Sequence, residues 1–213
     1  LLKISYYNMY SKKEEFWNVV THGIGILLSI VALVLLLIFN SGNALDTLSI
    51  VLYSATLVFL YSASTLYHSV SSEKWKFFFR KLDHIGIYFL IAGTYTPVAL
   101  ISLVHENGWT IFWTVWGIAF VGTILKIFFT GKYDKLSLLL YLAMGWLIIF
   151  DFKNLWEVQS ALGITLLGLG GLFYTLGTVF YAVERIPYNH AIWHVFVLAG
   201  SVFHFFFIFL DVI

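Results

Sequence analysis

Apolar residues run along this chain in long blocks separated by short polar breaks. A helix needs about 20 apolar residues to cross a hydrocarbon core, and the blocks match that length. The pattern predicts seven spans, over residues 16–39, 45–70, 81–104, 109–130, 135–156, 159–181 and 190–213. The fifth is the shortest as an unbroken block, since Asp151 and Lys153 close it after 150, and it reaches full length only if it extends to 156. All connections are short, so the expectation is an all-α, integral membrane seven-helix bundle. One domain covers 1–213, with nothing large outside the bilayer.

Turn and packing residues sharpen this reading. Gly163, Gly168, Gly170, Gly171 and Gly177 give the sixth span small surfaces for close helix approach. Pro97, inside Thr94-Tyr95-Thr96-Pro97, removes a backbone donor and predicts a kink in the third span, with nearby hydroxyls to satisfy the freed carbonyls. Asn189, just after Pro187, is the expected N-cap of the seventh span. No internal repeat or low-complexity segment is present.

Composition agrees with the pattern. The 213 residues are 61% hydrophobic and 11% charged, with mean hydropathy +0.90, whereas a soluble domain carries about 25% charged residues. A net charge of +1 gives no reason to expect nucleic-acid binding, and zero cysteines exclude disulfides, thiolate metal sites and a cysteine nucleophile. No signal-peptide cleavage pattern precedes the first span, which is therefore expected to stay in the mature protein. With seven spans, the N-terminal arm shares a side with the loops after the second, fourth and sixth. That side holds Lys3, Lys12, Lys13, Lys74, Lys76, Arg80, Lys81, Lys126, Lys132, Lys135 and Arg185, against Lys153 alone on the other. The positive-inside rule then places the N-terminus in the cytoplasm and the C-terminus outside, with Lys126 snorkelling from just within its helix.

Topology brings chemistry-bearing residues to one depth. His190 and His194 are four apart and share a helical face. The second span ends at His68 and the third begins with Lys81-Leu82-Asp83-His84, both on the side where the seventh begins. Ionisable groups at that depth are costly unless paired or bound to an ion. Three imidazoles and a water form the open tetrahedral set typical of catalytic zinc, and imidazole without thiolate favours zinc over calcium or magnesium. His68, His190 and His194 are the expected ligands. Asp83 is the expected water-mediated contact and general base, and Ser64, one turn before His68, orients that ring or polarises a carbonyl. The plainer alternatives are a zinc that only clamps the second, third and seventh spans, and a Ser64 that only packs. His22 is expected at an interfacial hydrogen bond, His84 in packing or at the interface, and His105 in solvent. His204 lies about 15 Å deeper than His194, too far to share its ion.

These residues carry a resemblance that spans nearly the whole chain. Glu14-Glu15 with Thr21-His22-Gly23-Ile24-Gly25, then Ala63-Ser64-Thr65-Leu66-Tyr67-His68, begin the pattern. Lys81-Leu82-Asp83-His84, Ala92-Gly93-Thr94-Tyr95-Thr96-Pro97 and Tyr141-Leu142-Ala143-Met144-Gly145-Trp146 continue it, and Arg185-Ile186-Pro187-Tyr188-Asn189-His190-Ala191-Ile192-Trp193-His194 close it. Together they resemble the hemolysin III family, the bacterial branch of the progestin and adipoQ receptor group, within a wider superfamily regarded as membrane hydrolases. The resemblance implies a seven-helix bundle in a bacterial plasma membrane, with the N-terminus inside. It also implies zinc held at positions matching His68, His190 and His194, with Asp83 contacting it through water and Ser64 matching the superfamily's serine. Activities associated with the group are ceramide-type amide hydrolysis, membrane-lipid and fluidity homeostasis and, through the name, lysis of red cells. The implied partners are membrane lipids and a fatty-acid-like ligand in the bundle cavity. A non-catalytic membrane sensor with structural zinc and a pore-forming cytolysin are the competing functions. The sequence supports the pore poorly, because the chain is apolar throughout and shows no separate soluble form.

Overall fold

A computed structural model describes residues 10–183 and 185–213; Lys3, one of the cations counted above, lies outside them. Among the described residues every regular element is helical and seven helical stretches are long and apolar enough to cross a membrane. They are α1 (Lys12–Phe39), α2 (Ala44–Ser69), α3 (Glu73–Pro97), α4 (Gly108–Phe129), α5 and α6 together, α7 (Ala161–Ala182) and α8 (Asn189–Phe207). The fifth span is broken. It runs as α5 (Asp134–Gly145), a 3-10 stretch (Leu147–Asp151) and α6 (Phe152–Val158), so it does extend past Phe150, but not as one helix.

Local chemistry starts the first two helices. Ser11 Oγ accepts from the Glu14 amide at 3.2 Å while Glu14 Oε2 accepts from the Ser11 amide at 2.8 Å, a reciprocal cap. Asn43 and Asp46 repeat the device before α2: Asn43 Oδ1 accepts from the Asp46 amide at 3.3 Å and Asp46 Oδ2 accepts from the Asn43 amide at 2.9 Å. The third span starts at Glu73, earlier than its apolar block suggests, because Lys76, Arg80 and Lys81 belong to its first turns. Pro97 ends regular α geometry, and Val98–Ser102 continue as a π turn. Thr94 and Thr96 hydroxyls bond the carbonyls of Leu90 and Ala92, both at 2.8 Å, rather than that of Gly93, whose α-helical donor the proline removes. The seventh span differs at its start: Asn189 is inside the helix and donates to the Phe180 carbonyl at 3.1 Å. The cap position is Tyr188, in the left-handed region at φ 58°, its amide donating to Glu14 Oε1 at 3.2 Å.

Span α3 is the most enclosed, and α1 packs against both α2 and α8. Tyr53, Leu57, Leu60, Tyr61, Leu90, Val197 and Phe207 form the main core, while Tyr88, Ala92, Val115, Ala119 and Met144 form a second between α3, α4 and α5. Large side chains such as Phe128 and Phe150 point outward, as a lipid-facing surface requires. The glycines of α7 are used at heptad spacing. Gly163, Gly170 and Gly177 face Asp211, His204 and the Trp193–Phe196 pair along the seventh span (Asn189–Val212), where any side chain would collide, whereas Gly168 meets nothing within 4 Å. Lys126 does not snorkel: it is 2% exposed and pairs with Asp134 at 3.3 Å, as Arg80 also does.

Candidate metal centre

Four helices reach one end of the bundle together. α2 finishes there with His68, and α8 begins there with His190 and His194. The third turn of α3 brings Asp83, and the first turns of α1 lie alongside. His68, His190 and His194 are buried, and each offers a ring nitrogen within 4.8 Å of the others. Ring centroids are 4.5 Å apart for His190 and His194, 5.0 Å for His68 and His190, and 5.1 Å for His68 and His194. Tetrahedral zinc with bonds of 2.0–2.1 Å separates ligand nitrogens by about 3.4 Å, so modest side-chain rotation would close the set on an ion. The Nε2 atoms of His68 and His190 are buried and have no hydrogen-bond partner among the described residues. Buried polar atoms are normally paired, and orphaned imidazole nitrogens on rings this close together fit a metal.

The outer hydrogen bonds come from α1. His68 Nδ1–H donates to Glu15 Oε2 at 2.5 Å, and the Asn18 side-chain amide nitrogen lies 3.2 Å from the same Nδ1. Glu15 is fixed in turn by Lys76 Nζ, which donates to Oε1 at 2.6 Å and to the Tyr67 carbonyl at 3.3 Å. His194 Nδ1 lies 3.3 Å from the Asn18 carbonyl and 3.2 Å from Thr21 Oγ1. Bonds at Nδ1 leave Nε2 of His68 and His194 for a metal, with a carboxylate behind His68 and a backbone carbonyl behind His194, outer partners that orient ligand rings and raise their basicity. Tyr10 covers the site, its ring stacked on His190 at 4.9 Å and 5.9 Å from that of His68. Burial, with Tyr67 and Tyr181 nearby, raises the Tyr10 phenol far above its ordinary pKa, so it stays a neutral donor.

The remaining expected residues are placed differently. Asp83 is outside the close histidine group; its carboxylate faces the Ser64 hydroxyl without a hydrogen bond of good geometry and lies 3.5 Å from His84 Nδ1. His84 is buried and bonds the Arg80 carbonyl at 2.8 Å. His204 bonds the Leu167 carbonyl at 3.2 Å, away from the triad, and His105 is exposed. His22 is not at the interface. It is 3% exposed, neither ring nitrogen has a hydrogen-bond partner among the described residues, and it stacks on His194 at 3.5 Å with 12° between planes. Sequence reasoning assigned no role to Glu15 and Asn18. Their signal was present, since Glu15, Asn18 and His22 fall at i, i+3 and i+7 and put polar groups on one face of an otherwise apolar helix.

Comparison with known proteins finds relatives over nearly the whole chain. Residues 10–205 match the family model described as haemolysin-III related. The chain is 48% identical over 200 residues to the hemolysin-3 homolog of Bacillus subtilis (strain 168), covering 93% of this chain and 94% of that protein. It is 47% identical over 196 residues to hemolysin-3 of Bacillus cereus, covering 91% and 90%. A more distant relative of progestin and adipoQ receptor type, the human monocyte to macrophage differentiation factor, is 31% identical over 202 residues, covering 91% and 82%.

Proposed function

The chain belongs to the haemolysin-III-related family of multi-pass bacterial membrane proteins, and from that premise we propose that it binds one zinc ion at His68, His190 and His194 and hydrolyses a lipid amide or ester inside the bilayer, in the service of membrane lipid and fluidity homeostasis. The observation that carries this reading is the pair of buried, unpartnered Nε2 atoms on His68 and His190, with His68 backed by the Glu15 carboxylate. Zinc in such a set supplies Lewis acidity toward a carbonyl oxygen and makes water easier to deprotonate. The protein's own groups do the rest. Asp83 takes the proton of the attacking water and returns it to the leaving nitrogen or oxygen. Ser64 hydrogen-bonds the substrate carbonyl, and the Glu15–His68 bond fixes the plane in which the ligand ring meets the ion.

Burial of all three rings favours a second reading, in which zinc ties α2 to α8 and the bundle senses the state of the bilayer. Metal analysis of purified protein and fatty-acid release from ceramide-type and ester lipids in vesicles separate the two. The hydrolase reading expects one zinc per chain, lipid cleavage by the wild type, and loss of cleavage with zinc retained in Asp83→Asn. Full cleavage by Asp83→Asn removes that residue as base. Zinc-dependent stability without any product leaves the sensor, and a wild type free of transition metal ends both.

A further inference from the structure

Glu15, Asn18 and His22 share one face of α1, and the first two have partners in the histidine group. Glu15 meets His68 Nδ1, and the Asn18 carbonyl lies 3.3 Å from His194 Nδ1. His22 differs. It touches His194 by the face of its ring, at 3.5 Å between centroids, and leaves both nitrogens without a hydrogen-bond partner among the described residues. Its other ring neighbour, Tyr61, meets it edge-on at 5.0 Å but commits its hydroxyl to Ser201 Oγ at 2.7 Å. Asn18 Oδ1, one turn earlier on α1, and Ser64 Oγ, one turn before His68 on α2, are buried in the same unpartnered state. An unpaired buried hydrogen-bonding atom is costly, so several at one end of the bundle point to a polar ligand.

The metal itself does not account for His22. The ring is outside the group of three whose nitrogens lie within 4.8 Å of one another. An ion shared by parallel rings 3.5 Å apart would sit about 1.8 Å out of each plane, most of a ~2.1 Å zinc–nitrogen bond, whereas imidazole donates within its plane. His22 and His194 therefore do not bind the same ion.

We propose that His22 binds the polar end of a molecule held at the metal centre, one ring nitrogen donating to it and the other accepting from it. A neutral imidazole has one N–H and one lone pair, so the group that satisfies it both accepts and donates, as a hydroxyl or an N–H amide does. The parallel stack holds that donor and acceptor against a ligand ring, beside the metal rather than on it. Asn18 Oδ1 and Ser64 Oγ add an acceptor and a hydroxyl at the same end. The proposal rests on the zinc reading; it does not need a lipid to be cleaved.

The test titrates acetohydroxamate, a small zinc-binding probe with both kinds of hydrogen-bonding atom, into the zinc-loaded full chain in lipid nanodiscs. His22→Phe keeps a ring for the stack and removes both nitrogens. His22→Gln loses the stack and keeps a donor and an acceptor. Zinc should stay at one per chain in His22→Phe. Probe affinity is expected to fall about tenfold in that variant, ~1.4 kcal/mol, and to stay within threefold of wild type in His22→Gln. Unchanged affinity in His22→Phe overturns the proposal, as does a loss in His22→Gln that equals or exceeds it, which would assign the ring to packing. Loss of zinc from His22→Phe also overturns it, because His22 would then support the metal directly. So does a zinc-loaded wild type that ignores the probe. A wild type without zinc ends the metal reading and this one together. Fatty-acid release is read on the same discs: His22-dependent probe binding without cleavage keeps the binding role and ends the hydrolase reading, and cleavage with unchanged probe binding in His22→Phe does the reverse.

Discussion

Replacing Glu15 with glutamine tests the outer support of the metal centre most directly. Glu15 holds His68 Nδ1 at 2.5 Å through one oxygen and Lys76 Nζ at 2.6 Å through the other. Glutamine keeps the size but removes the charge, so His68 loses its anionic acceptor and Lys76 loses its ion pair while keeping the Tyr67 carbonyl. Loss of such a partner lowers metal affinity by about 10- to 100-fold, or ~1.4–2.7 kcal/mol. Breaking a buried ion pair costs about 3–5 kcal/mol of stability. Glu15 is 20% exposed, so the lower end or less applies here. The two losses separate in variants. Lys76→Met leaves the His68 bond intact and should hold zinc affinity within about threefold, below 1 kcal/mol. Adding it to Glu15→Gln should recover stability but not affinity. Glu14→Gln is the neighbouring control, since Glu14 bonds the Ser11 and Tyr188 amides instead. Competition against a chromophoric chelator, with thermal unfolding in parallel, reads both quantities. An unchanged zinc affinity in Glu15→Gln would refute the claim that this carboxylate orients the ligand.

His190→Ala should drop bound zinc from one per chain to near zero in elemental analysis, whereas His204→Ala, whose ring bonds the Leu167 carbonyl away from the triad, should keep it. Tyr10→Ala uncovers His190 and should speed zinc loss to excess chelator severalfold in stopped-flow measurements while leaving equilibrium affinity nearly unchanged. Gly170→Leu puts a side chain into the His204 ring, and overpacking of this kind costs about 1–3 kcal/mol. Gly168→Leu, in open space, should unfold at the wild-type temperature in the same detergent.

Most of the fold was legible because the bilayer imposes one dominant constraint: a span must be apolar and long enough, and its backbone must be satisfied internally. That constraint gave seven crossings but not their ends. Glu73–Arg80 read as a loop on hydropathy, yet they are helical, because Lys76 and Arg80 fold inward to Glu15 and Asp134 instead of facing water. Asn189 had the composition of a cap, but the backbone turned one residue earlier and spent its side chain on the Phe180 carbonyl. The three histidines were legible because two share a helical face and the third follows from topology. The α1 residues that hold them were not, since a hydrogen bond between residues 15 and 68 depends on how two helices rotate against each other.

The buried cations show how one residue serves two arguments. Lys76, Arg80 and Lys126 were counted among eleven basic residues on the predicted cytoplasmic side, as though each were an interfacial charge. All three are buried and paired with Glu15 or Asp134. The positive-inside rule counts Lys and Arg rather than net charge, so pairing with a carboxylate does not by itself strike them from the count. Removing the three leaves eight against Lys153 alone, and the rule still predicts the same orientation. Their acids do more than neutralise them. Glu15 takes Lys76 through one oxygen and His68 through the other, so one carboxylate both anchors the start of α3 and meets the candidate zinc ligand.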